Sequence, residues 1–119
     1  MAFTDYETEQ LRKALLQETR HCAVTLGMKK TSVDQLTKSV GIAKGSFYKF
    51  YESKDMAFFA VLESIHSELY GVADHALSEA NGLPDAERAA KAVLAVCRRL
   101  SDTGDMAFIE NDAKLLLQR

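Results

Sequence analysis

Between Thr31 and Tyr51 the chain has room for two short helices and a turn, and for little else. Thr31-Ser32-Val33-Asp34 supplies a threonine cap and an acid in the first turn, and Val33, Leu36 and Val40 then recur at helical spacing. Gly41 breaks that run, Ile42 follows as an apolar plug, and Lys44 to Tyr51 reads as a second helix starting at Ala43 or Lys44. Two short helices joined by a glycine-containing turn form a helix-turn-helix, whose second helix lies in the major groove of DNA.

The composition of that second helix supports the assignment. Gly45 inside it costs about 1 kcal/mol relative to alanine, so its presence has a cause. Two accounts are open: a missing side chain lets the backbone approach DNA, or it allows tight packing against another helix. Lys44, Ser46, Tyr48 and Lys49 share the outward side and are donors suited to phosphate oxygens or base edges, whereas Phe47 and Phe50 face inward.

The flanking sequence reads as support. Thr4-Asp5-Tyr6-Glu7 forms a capping box, and Leu11, Ala14, Leu15, Cys22, Ala23 and Leu26 hold one apolar face until Gly27 ends the first helix. Ser53 caps a long fourth helix in which Phe58, Phe59, Leu62, Ile65, Leu69, Val72, Ala73 and Ala76 carry the pattern to about Ala80. Asn81-Gly82-Leu83-Pro84 stops it, with Pro84 expected in the first turn of a fifth helix whose apolar side holds Ala86, Ala89, Ala90, Val93, Leu94, Cys97 and Leu100. A sixth helix from Asp105 carries Met106, Phe108, Ile109, Ala113, Leu115, Leu116 and Leu117. The fold expected is all-α: a three-helix, homeodomain-like helix-turn-helix domain over residues 1–52, then a connecting helix and part of a helical bundle over 53–119. An apolar terminal helix of this kind needs a cover, so the chain is expected to be a fragment of a longer protein.

Charge is distributed to match. The net charge is −2, but residues 28–54 hold six lysines against Asp34 and Glu52, whereas 55–119 hold six basic residues against eleven acids. A basic quarter on an acidic body suits a polyanion at one end only. No apolar run approaches a membrane span, and the N-terminus has acids where a signal peptide has basic residues, so a cytoplasmic protein without a membrane partner is expected. Cys22 and Cys97 have no metal-ligand spacing and are expected as buried, reduced thiols. His21, His66 and His75 form no HExxH, and there is no GxSxG or phosphate-cradling glycine loop, which argues against an enzyme and against any metal or cofactor. A helical module that binds protein is the third class, supported only by the apolar C-terminal helix.

Residues Thr31 to Leu62, TSVDQLTKSVGIAKGSFYKFYESKDMAFFAVL, resemble the DNA-binding domain of the tetracycline-repressor (TetR) family of bacterial regulators. Lys44, Gly45 and Tyr48 match that family's pattern, Ser46 and Phe47 replace threonine and leucine, and Lys49 stands where histidine is common. Ser53, Lys54 and Asp55 match its serine-lysine-acid opening of the connecting helix. Ala43 departs from it, where serine or threonine is usual. The resemblance implies DNA contacts by Thr31, Lys44, Gly45, Ser46, Tyr48, Lys49 and Lys54. It also implies a ligand-responsive repressor that binds a near-palindromic operator as a homodimer and answers to a small-molecule effector. His66, Tyr70, His75 and Phe108 are the residues suited to a ligand pocket.

Overall fold

The computed structural model describes residues 3–118; residues 1, 2 and 119, at the outer ends of the two expected domains, lie outside the described residues. It is all-α. Helices α1 (Asp5–Thr25), α2 (Val33–Val40), α3 (Lys44–Phe50), α4 (Lys54–Glu79), α5 (Asp85–Thr103) and α6 (Asp105–Phe108) follow in order, then a π-helical segment (Ile109–Ala113) and α7 (Lys114–Leu117).

Local chemistry sets most of these boundaries. Thr4 and Glu7 form the reciprocal capping box of α1, and Gly27, at φ +85°, turns the chain just beyond it. The cap of α2 is Ser32 rather than Thr31: the Ser32 hydroxyl accepts from the Gln35 amide at 3.1 Å, and Gln35 accepts from the Ser32 amide at 2.7 Å. Thr31 is turned inward instead, its hydroxyl donating to the Gly27 carbonyl at 2.8 Å. Gly41 ends α2 at φ +84°, a left-handed conformation that side chains disfavour. Ser53 caps α4 through the Met56 amide. Pro84 stands one residue before α5, at the cap position, and not in its first turn. The expected sixth helix is interrupted, because Ile109–Ala113 widens into π geometry between α6 and α7.

Two apolar clusters share α1 and α4. Leu15, Cys22, Leu36, Phe47 and Ala57 form one, flanked by Val33, Val40, Phe50 and Tyr51, and it fixes α2 and α3 against α1. Ala23, Met28, Phe58, Val61, Ile65, Phe108 and Leu116 form the other, which joins α1 and α4 to the C-terminal segment. A polar clamp runs beside it. Arg20 of α1 binds Glu68 of α4 at 2.5 Å and Asp105 of α6 at 2.6 Å, and Arg99 of α5 binds Glu68 at 2.8 Å. The Arg20 guanidinium is held charged chiefly by its hydrogen bond to Asp105, and Glu68 lies below the usual carboxylate range chiefly because Arg20 donates to it.

The α5 stripe is less covered than its periodicity suggests. Val93 and Leu94 are about three-fifths exposed, at 61% and 60%. Cys97 on the same stripe is exposed, so only Cys22 of the two thiols is buried. Burial, then the neighbouring Glu18 carboxylate, pushes the Cys22 thiol up from its ordinary pKa.

Candidate nucleic-acid interface

The orientation of α3 follows from its aromatic residues. Phe47 is fully buried between α1, α2 and α4, and Phe50 and Tyr51 pack half-buried beside it. At about 100° per residue that leaves the other side of the helix to solvent. Lys44, Gly45, Tyr48 and Lys49 are exposed and Ser46 is partly so. Tyr48 is half exposed, its ring edge-on to Phe47 at 5.3 Å. Five of the seven residues expected to meet DNA are therefore brought together on one open face.

Among the described residues, nothing outside its own stretch of helix lies within 4 Å of where a Cβ on Gly45 would stand. No other helix packs against this glycine. Lys44 pairs with Asp34 at 3.4 Å, with both side chains more than half exposed. A surface pair of this kind contributes about 0–1 kcal/mol and yields readily to a phosphate. The N-cap of α3 is Ala43, which makes no side-chain capping bond, so Phe47 and Phe50 hold the helix in place.

Thr31 and Lys54 are a different matter. Thr31 is 2% exposed with its hydroxyl committed to Gly27. The Lys54 ammonium donates to the carbonyls of Met28 at 3.0 Å and Thr31 at 3.1 Å, occupying two of its three protons. Both residues hold the loop between α1 and α2 in shape rather than presenting their polar atoms outward. An ammonium closing a helix-end loop and an ammonium on a surface look alike in a sequence.

The residues expected to line a pocket separate. His66 lies on a groove of about 430 Å³ with Phe59, Leu62, Glu63, Ser67 and Leu117. Tyr70 is 64% exposed, its ring meeting that of His66 edge-on at 4.8 Å. His75 stands on the surface, 3.8 Å from Glu79. Phe108 is fully buried against Phe58, 6.0 Å between ring centres, and so belongs to the core and not to a cavity wall.

Sequence reasoning passed over a second feature of this face. A cleft of about 210 Å³ between the first half of α1 and the outer side of α3 is lined by Phe3, Thr8, Arg12, Ser46, Lys49 and Phe50. The Arg12 guanidinium carbon stands 5.7 Å from the centre of the Phe50 ring, a cation–π contact between residues far apart in the chain. No local spacing signals it.

A helix-turn-helix carried on a long connecting helix, with a basic outer face on its second helix, defines a DNA-binding module. Residues 15–61 match the family described as bacterial regulatory proteins, tetR family. That stretch runs from the middle of α1 through α2 and α3 to the first part of α4, so it is this part of the chain that is similar to the tetR-family regulators. A 45-residue stretch is also 36% identical to the nucleoid occlusion factor SlmA of Actinobacillus pleuropneumoniae, in serotypes 5b, 3 and 7. That match covers 38% of this chain and 22% of the relative. Among the described residues no helix is long and apolar enough to cross a membrane.

Proposed function

We propose that this chain is the DNA-binding part of a cytoplasmic transcriptional repressor, with α3 entering the major groove of an operator. The observation that carries the reading is the two-sidedness of α3: Phe47 is fully buried, while Lys44, Gly45, Tyr48 and Lys49 stand exposed together with open space above the glycine. Lys44, nearest the start of the helix, approaches base edges, and Ser46, Tyr48 and Lys49 donate to phosphates. Thr31 and Lys54 act by holding α2 and α4 in register. Two copies acting as a homodimer place two such helices in successive major grooves of a near-palindromic site. An effector seated along α4 beside His66 and Tyr70 shifts the population of helix spacings and so releases DNA without touching it.

Selection of genomic fragments by the purified protein tests this directly. Retained fragments are expected to share a two-fold motif, and retention should fall steeply with salt. Lys49→Ala should lower the slope of log affinity against log salt by about one. No retention of genomic DNA, or retention indifferent to salt, would overturn the reading.

A further inference from the structure

Arg12 belongs to α1, outside the helix-turn-helix proper, yet it stands beside the face of α3 that meets DNA. Phe50, held in the α3 core cluster, offers its ring to the guanidinium. This places a flat cation at one wall of the α1–α3 cleft, with Lys49 and the hydroxyl-bearing Ser46 on the other and Thr8 alongside. The only carboxylate paired with Arg12 among the described residues is Glu9, at 3.6 Å through Nε, with both side chains more than half exposed. Among the described residues neither terminal guanidinium nitrogen of Arg12 is held by a carboxylate, and Lys49 has no ion pair.

Two cations, two hydroxyls and an apolar wall in a cleft of about 210 Å³ match one phosphodiester and part of its sugar. A guanidinium takes two phosphate oxygens at once, an ammonium adds a point charge, and the Phe3 and Phe50 rings suit the sugar's carbon face. We propose that this cleft is a DNA-backbone phosphate site, in which Arg12 and Lys49 hold one phosphate from two helices. The site rests on the DNA-binding reading of α3, because Ser46 and Lys49 serve both. Its consequence is positional: with one phosphate held between α1 and α3, the angle at which α3 enters the groove is fixed by two elements instead of one.

A phosphate contact is indifferent to sequence, so the test needs no operator. Fluorescence anisotropy with a random-sequence duplex, titrated from about 50 to about 200 mM salt, compares the wild type with Arg12→Gln and Arg12→Lys. Arg12→Gln should reduce the log–log salt slope by about 0.9, the value for one phosphate contact, and Arg12→Lys should restore it. Unchanged thermal melting of both variants is expected, since Arg12 is more than half exposed. Wild-type binding with the same slope in Arg12→Gln overturns this inference alone, whereas a wild type that binds no duplex at low salt overturns the regulator reading as well. Inorganic phosphate at matched ionic strength tests whether the anion sits in this cleft. Phosphate is expected to displace the duplex from the wild type no less than chloride does, with any excess effect lost in Arg12→Gln; an excess phosphate effect that is equal in Arg12→Gln would place the anion elsewhere and overturn the inference.

Discussion

Replacing Arg20 by alanine should destabilise the protein by more than replacing either of its acidic partners. The reason is where each charge sits. The Asp105 side chain is 3% exposed, against 25% for Arg20 and 34% for Glu68. Without Arg20, the Asp105 carboxylate keeps the Thr103 hydroxyl at 2.7 Å as a donor and loses its counter-charge. A buried charge stripped of its partner costs about 3–5 kcal/mol, and the Glu68 half of the clamp, being more exposed, adds at most about 1 kcal/mol. We expect about 3–4 kcal/mol for Arg20→Ala. Asp105→Asn leaves Arg20 with Glu68 and some water, and should cost about 1–2 kcal/mol. The double variant should then be more stable than Arg20→Ala alone, because the stranded charge is gone. Urea unfolding reads this: with a slope of about 2 kcal/mol per molar, Arg20→Ala shifts the midpoint by about 1.5–2 M. A shift under about 0.5 M, or a double variant equal to the sum of the singles, would refute the argument that the clamp is a buried pair.

Gly45→Ala should raise stability by about 0.5–1 kcal/mol, since no atom crowds the new methyl group, while weakening DNA binding; unchanged affinity by anisotropy would remove the close-approach role. Ala43→Ser supplies the capping hydroxyl that α3 lacks and should stabilise the fold by about 0.5–1 kcal/mol in thermal melting. Cys97 should react with a thiol reagent at the rate of a free thiol, and Cys22, buried and with its thiol pKa raised, only as the protein opens; a single fast phase for both would contradict the burial of Cys22. Because Arg20 depresses the Glu68 pKa in the folded state, the stability this gives is present above the ordinary glutamate value near pH 4.3 and is lost as pH falls through the lower folded value. Stability measured from about pH 5 downward should thus fall less steeply in Glu68→Gln than in the wild type.

Much of the fold is legible because its boundaries are chemical. Thr4 with Glu7, Ser53, Gly41 and Gly104 each end or start a helix by a bond or a dihedral that only a few residue types can supply. What escapes is of two kinds. Periodicity tells which residues share a face, not whether anything covers it, so Cys97 and Val93 read as core and stand exposed. Adjacent residues with the same chemistry are also indistinguishable by type: Thr31 and Ser32 both suit a cap, and it is the Gly27 carbonyl, across the turn, that takes the Thr31 hydroxyl. In the site the outward face of α3 is legible from the spacing of Phe47 and Phe50. Arg12 is not, since its neighbour Phe50 is distant in the chain.

The loop between α1 and α2 shows how the acidic half of the chain bears on the basic one. Met28 is 3% exposed with its side chain in the α1–α4 core. Its amide donates to the Asp112 carboxylate at 3.0 Å and its carbonyl accepts from Lys54 at 3.0 Å. Asp112 is itself buried, 6% exposed, and lies in the π-helical segment, where the helix repeat is locally out of step. A displacement of that segment by about an ångström would break the Met28 bond and leave a buried carboxylate without this donor, at a cost of about 1–3 kcal/mol or more. It is therefore less costly for the loop to follow the segment than to separate from it. The loop ends at Ser32, the cap of α2, and α2 and α3 share the core cluster around Leu36 and Phe47. Asp112 is thus linked to α3 through one backbone amide, one lysine and one packed cluster.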